Sequence, residues 1–248
     1  MQLHLSSWPE IEDYLTRSRG VVIPIGSTEQ HGPTGLIGTD AICPEVIAKR
    51  AGDEAGFLVG PTFNVGIAQH HLGFPGTLTL RPSTMIAAIH DWVSSLARHG
   101  FERVYFFNGH GGNISTINAA FAEIYADRSL ADAASNRGPV KCRFANWWDY
   151  KPVMDFCRSR YGAGHGSHAT PSEIAVTNAV YPQAIKHAEM SPVIAPTGRF
   201  TDAEDYRAKF PDGRIGSDPS LADPKDGETL IGLSAAGLVE DYRAFLAN

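Results

Sequence analysis

Three short stretches collect the side chains whose types and spacing could do chemistry. GSTEQHGPTGLIGTD (26–40) holds Glu29, His31 and Asp40. Glu29 and His31 are one residue apart, so an extended backbone points both to the same side. Gly32, Pro33, Gly35 and Gly38 let the loop turn back and bring Asp40 close. FFNGHGGN (106–113) frames His110 with glycines, and GAGHGSHATPSEIAV (162–176) carries His165, His168 and Glu173. Each stretch also has a plainer reading. Singly, Glu29 and His31 read as exposed loop residues and Asp40 as a helix N-cap, but all three on one glycine-rich loop after a buried strand favour a site. The glycines around His110 suit a turn with positive φ, or a cradle of N–H groups for an anion. The cradle lacks GxxxxGK[ST] or GxGxxG spacing, and the turn leaves the histidine unexplained. Thr170-Pro171-Ser172-Glu173 is a capping-box pattern with proline at the first helical position, which makes Glu173 a helix-start residue or a ligand in equal measure. His165 and His168 precede that helix, where the positive dipole end favours a neutral imidazole. Of the pair His70-His71, before LGFPGT, His70 is taken as the candidate contact of the site.

Pooled, these are histidines and carboxylates with no cysteine nearby. Such donors suit Zn²⁺, Mn²⁺ or Fe²⁺, whereas thiolates would have indicated a structural zinc. There are more candidate donors than one tetrahedral ion takes, which favours two metals sharing a carboxylate. Two-metal sites lower the pKa of a water and polarise the bond under attack, so hydrolysis is the natural chemistry. No GxSxG elbow supports a serine nucleophile, and no local signature supports a cysteine one. Two rivals stand beside this: a non-catalytic, metal-dependent small-molecule binding protein, and a phosphate-binding α/β enzyme using the GHGGN loop.

The elements that must position these side chains alternate along the chain. VVIPI (21–25), FLVGPTF (57–63), RVYFFN (103–108) and VKCRFAN (140–146) read as strands. Helical spacing marks residues 41–55, the run after Pro82 up to Gly100, 114–127 and about 230–246. Strands separated by helices imply βαβ units: a single α/β domain over 1–248, with a mostly parallel sheet flanked by helices on both faces. Each chemical cluster is expected just past the end of a strand, where ligands bind in open α/β sheets. Residues 195–229, rich in Pro, Gly, Asp and Ser, are expected to form a lid or an oligomer contact.

Composition narrows the classes. The chain has 248 residues, 43% hydrophobic and 19% charged, with a net charge of −6. That composition excludes disorder, and the acidity argues against nucleic-acid or anionic-membrane partners. No apolar run approaches a membrane span. The first residues are polar and acidic where a signal peptide would be basic then apolar, and Cys43, Cys142 and Cys157 lack CxxC spacing. A reduced, cytoplasmic setting is expected.

IPIGSTEQHGPTGLIGTD, NGHGGN and HATPSE, in this order and at these separations, resemble the creatininase (creatinine amidohydrolase) family. GRIGSDPSLADPKDGE (213–228) resembles that family's C-terminal segment. The resemblance implies a creatininase-like fold, two divalent ions per chain (Zn²⁺ and/or Mn²⁺) and a homo-oligomer, often a hexamer. It also implies hydrolysis of a non-peptide C–N bond, in a cyclic amide or formamide, by a metal-activated hydroxide acting on a small-molecule substrate. By motif, Glu29 and His110 would bind one metal, His31 the other, and Asp40 would bridge them. His168 would shuttle a proton, and Trp147 or Trp148 falls where the family carries a tryptophan near the substrate. His165 and His70 are further candidate substrate contacts. Creatinine-hydrolysing members carry a glutamate two residues after the GH histidine, where this chain has Gly112. Glu173 is therefore expected to complete the second metal site. Thr34-Gly35 also stands where HGPHLP-type members have His-Leu, and both departures point away from creatinine itself.

Overall fold

The computed structural model describes residues 1–131 and 139–248. Its centre is a parallel sheet of three strands in the order β1 (Gly20–Ile25), β2 (Arg103–Asn108), β3 (Lys141–Asn146). Gly20 pairs with Arg103, and Arg103 in turn with Lys141, so all three strands end at the same edge. Residues of β1 are buried throughout, because both faces of the sheet are covered.

Successive strand residues point to opposite faces, and two cores result. Val21, Ile23, Ile25, Val104 and Phe106 pack with α1 (Trp8–Arg17), α3 (Pro82–Arg98) and α4 (Ile114–Leu130). Val22, Tyr105 and Phe107 pack with α2 (Thr39–Ala55), α5 (Lys151–Tyr161), α6 (Pro171–Val180) and α8 (Pro224–Ala247). Met85, Ile89 and Val93 on α3 are fully buried at the expected helical spacing, each worth about 1.5–3 kcal/mol of apolar transfer. The expected α/β architecture, a parallel sheet with helices on both faces, is the one observed.

Several boundaries differ from the sequence expectations. Residues 57–63 lie beside β1, with bridges at Val59 and Phe63, but form no continuous strand. Pro24 of β1 has no N–H to donate to this stretch, and after the Gly60 N–H meets the Val22 carbonyl the bonds resume only where the Phe63 N–H meets the Pro24 carbonyl. Asp40 is not the N-cap of α2: Gly38 caps it and Asp40 sits in the first turn. The last helix begins at Pro224 rather than near 230, capped by the Asp223 side chain. Within 195–229 lies a further helix, α7 (Ala203–Lys209). Phe74, Tyr206, Phe210 and Ile215 form a third, small core there. Arg214, fully buried, pairs with Asp212 and donates to the carbonyls of Pro192, Val193 and Ser217.

Candidate metal centre

The loop after β1, the loop after β2 and the start of α6 converge beyond the sheet's C-terminal edge. The third cluster does not follow a strand, as the sequence reading expected. α5 intervenes after β3, and His168 and Glu173 reach the site from the N-terminal end of α6. Asn108 and Asn113, both fully buried, hold the second loop in place. Asn108 donates to the His110 carbonyl at 2.7 Å, and Asn113 donates to the Gly26 carbonyl at 2.9 Å, tying the β2 loop to the β1 loop.

Glu29, His31, Asp40, His110 and Glu173 are all brought together and buried. Asp40 Oδ1 lies 2.9 Å from His31 Nε2, and its Oδ2 lies 2.8 Å from His110 Nδ1. Glu29 Oε2 lies 3.2 Å from His110 Nε2 and accepts the Ser27 hydroxyl at 2.7 Å. Glu173 Oε1 lies 4.0 Å from His31 Nε2. It also accepts the Thr170 N–H at 2.5 Å, so the capping role and the site role coexist. Three groups of potential metal donors each have ligating atoms within 4.8 Å of one another: Glu29–Asp40–His110, His31–Asp40–Glu173 and Glu29–His31–His168. Asp40 belongs to two of them.

The rings are oriented by their other nitrogens. His31 Nδ1 donates to the Glu29 carbonyl at 3.1 Å, and His110 Nε2 donates to the Ile67 carbonyl at 2.8 Å. The remaining nitrogen of each ring then faces Asp40, as is usual for metal-binding histidines. Asp40 Oδ2 and Glu29 Oε1 are buried without a well-aligned hydrogen-bond donor. Three buried carboxylates facing imidazoles, with no Lys or Arg among the residues lining the cavity, need added positive charge. Imidazole and carboxylate donors fit Zn²⁺ or Mn²⁺.

Protonation in the ion-free chain points the same way. Burial opposes charge on His31, yet the Asp40 carboxylate, with Glu173 and Glu29 behind it, raises its pKa to about 10. Burial likewise opposes charge on His110, and Glu29 and Asp40 raise it to about 9. Burial would raise Asp40, but the two imidazoles hold it far below the usual carboxylate range. Burial raises Glu29, and burial with the Asp40 charge raises Glu173 to about 7. Burial and the neighbouring rings of His71 and His31 push His168 well down, leaving it neutral.

A cavity of about 480 Å³ opens onto the cluster. Its walls include His168, His165, Trp147, Trp148, His70 and Phe200. Trp148 is half-buried, whereas Trp147 is 2% exposed and belongs mainly to the core. His165 bonds through Nε2 to Ser172 Oγ at 2.8 Å. His70 stacks on Phe200, with ring centres 4.9 Å apart and planes 25° from parallel. The sequence reading missed His71, which is buried with Nε2 3.1 Å from Glu29 Oε1. It also passed over Gln30, Tyr206 and Phe200. Sequence does not separate His71 from His70. The buried GRIGSD run facing the site was the available sign for Tyr206 and its neighbours.

A family model for creatininase, creatinine amidohydrolase, matches residues 4–242. A creatinine amidohydrolase of Pseudomonas putida is 26% identical over 255 residues, covering 96% of this chain and 94% of the relative. A mycofactocin precursor peptide peptidase of Mycobacterium ulcerans (strain Agy99) is 25% identical over 260 residues, covering 98% of this chain and 86% of the relative. A solved manganese creatininase superposes with a TM-score of 0.84 at 22% identity, covering 100% of this chain and 99% of that one. Among the described residues no helix is long and apolar enough to cross a membrane.

Proposed function

The chain belongs to the creatininase family, and on that premise we propose that it is a dinuclear metal amidohydrolase cleaving a non-peptide C–N bond in a small cyclic amide or formamide. The observation that carries this reading is Asp40, whose two oxygens each face a different histidine and which is common to two donor triads. Glu29 and His110 would hold one Zn²⁺ or Mn²⁺, and His31 and Glu173 the other, with Asp40 between them.

Bound divalent ions would lower the pKa of a water and polarise the amide carbonyl. The chain's own groups do the rest. His168 donates through Nε2 to the Gln30 carbonyl at 2.9 Å, leaving Nδ1 directed at the cluster, 3.8 Å from Glu29 Oε1. That nitrogen is free to take a proton and pass it to the leaving nitrogen. Glu173, raised to about 7 in the ion-free chain, would give up its proton on taking an ion. Trp148, Phe200 and His70 form a largely apolar wall that excludes water from the substrate. The cavity volume lies in the range of small-molecule sites, which favours a small amide over an extended peptide. The family reading also carries a homo-oligomeric, cytoplasmic protein.

Chelation followed by metal add-back, with ammonia or amine release from cyclic amides and formamides as readout, tests the reading. Activity lost on chelation and restored by Mn²⁺ or Zn²⁺ supports it. Activity that survives chelation overturns it, and tight metal binding with no turnover of any such substrate favours the non-catalytic binding protein.

A further inference from the structure

Gln30 lies between Glu29 and His31 in the sequence and is almost fully buried. Its amide nitrogen has four polar neighbours: His71 Nδ1 at 2.8 Å, His168 Nε2 at 2.9 Å, the Gly213 carbonyl at 2.9 Å and Tyr206 Oη at 3.4 Å. A primary amide has two hydrogens. The Gly213 carbonyl can only accept, so one hydrogen goes there. His168 Nε2 is already the donor to the Gln30 main-chain carbonyl at 2.9 Å, which leaves His71 Nδ1 as the acceptor of the second. Tyr206 donates its own hydroxyl to Gly213 at 2.8 Å. The side-chain oxygen of Gln30 accepts the Gly32 N–H at 2.8 Å, which fixes the amide's orientation.

This allocation leaves each ring one choice. With Nδ1 accepting, His71 carries its hydrogen on Nε2, the nitrogen 3.1 Å from Glu29 Oε1. With Nε2 donating, His168 keeps a lone pair on Nδ1, the nitrogen 3.8 Å from the same oxygen. We propose that Gln30 is a positioning residue that sets the tautomers of His71 and His168 through the bonds its side-chain amide and main-chain carbonyl make, so that Glu29 is met by one N–H and one proton-accepting nitrogen. The His71 N–H then lies near a carboxylate that would hold metal without being aligned on it, and His168 keeps Nδ1 free of hydrogen on the side of the cluster. The arrangement depends on the segment around 206–213. Gly213 has φ +88°, and a Cβ there would fall 1.9 Å from Gln30 Oε1, so only glycine lets the two segments approach. The inference rests on the dinuclear reading of the site.

Long-range ¹H–¹⁵N spectra of the histidine rings in the intact protein, without ions and loaded with Zn²⁺, test it directly. Both His71 and His168 are expected with hydrogen on Nε2 in either state. A Zn²⁺-binding chain with either ring in the other tautomer overturns the Gln30 assignment alone. A wild-type chain that takes up no Zn²⁺ overturns the reading of the site and the purpose given to Gln30 with it. Gln30→Met, similar in length and unable to hydrogen-bond through its side chain, is expected to leave His71 in mixed tautomers and weaken Zn²⁺ binding about tenfold. Gly213→Ala, outside the cluster, is expected to move both readouts the same way. Unchanged tautomers and affinity in a folded Gln30→Met overturn the proposal. Should that variant fail to fold, the wild-type spectrum still decides.

Discussion

Asp40 Oδ2 and His110 Nδ1 lie 2.8 Å apart, while the other nitrogen of the same ring is already spent on the Ile67 carbonyl. A carboxylate oxygen and an imidazole lone pair cannot rest that close unless a proton or a cation lies between them. The same carboxylate makes an equivalent approach to His31 through its other oxygen. Asp40 is thus the hinge of the whole cluster.

Asp40→Asn keeps the shape and removes the charge that both rings face. The variant is expected to lose most of both ions and at least roughly a hundredfold in activity, while retaining its helical content. Elemental analysis beside circular dichroism reads this out. Two ions retained with near-normal turnover would remove Asp40 from its bridging role.

Ion binding has a definite pH slope. In the ion-free chain His31 and His110 titrate at about 10 and about 9, so both are protonated at neutral pH. An ion taking either ring must expel that proton, so affinity falls as pH drops and rises as pH increases toward those values. Above about pH 7 the affinity is expected to gain about tenfold per pH unit for each site using one such ring, and below it the site that also uses Glu173 should gain more steeply. Calorimetry in buffers of different ionisation enthalpy should record proton release. Release of none would mean that the ions do not use these two rings.

The GHGGN loop supplies a matched pair of substitutions. A Cβ on Gly112 would lie 2.3 Å from His110 Nε2 and 2.6 Å from the Ile67 carbonyl, the very bond that orients the ring. A Cβ on Gly111 would meet nothing within 4 Å. Gly112→Ala is therefore expected to weaken ion binding roughly 10- to 100-fold, while Gly111→Ala leaves it unchanged. The same crowding explains why a glutamate at 112 is not an alternative to Glu173 in this backbone. Equal affinities for the two variants would show that ring orientation does not depend on that bond.

What the sequence carried of this site follows from distance along the chain. Glu29, His31 and Asp40 share one loop, so local spacing exposed them. Glu173 looked balanced between cap and candidate ligand because the Oε1 that accepts the Thr170 N–H also lies 4.0 Å from His31 Nε2. His71 was hidden because His70 and His71 are chemically identical neighbours, and only the fold decides which ring turns inward. Gln30 was merely the spacer between two candidate ligands, since its four neighbours come from residues 71, 168, 206 and 213. In the fold, a β-branched run gave β1 and an aromatic run gave β2, while Pro24, lacking an N–H, interrupted the pairing of residues 57–63, whose hydrophobicity alone suited a strand. The helix α1 was legible but unread: Ser7 and Glu10 form a capping box ahead of an apolar face.

Residues 195–229, whose composition suits a lid or a subunit contact, reach the cavity through Phe200. Its ring stacks on His70 and meets Tyr206 edge-on with centres 4.9 Å apart, so it covers the pocket from the side of the small third core. Phe200 offers no donor atom and packs on His70 and Tyr206, so its removal should leave ion content intact. Burying such a ring against a ligand is worth about 1.5–3 kcal/mol, which translates to roughly a 10- to 100-fold change in binding. Phe200→Ala is therefore expected to raise KM for a turned-over amide by about that factor, with kcat changed far less. A fall in kcat at constant KM would place Phe200 in the reacting geometry instead of the pocket wall. No change in either would leave Phe200 without a part in substrate binding.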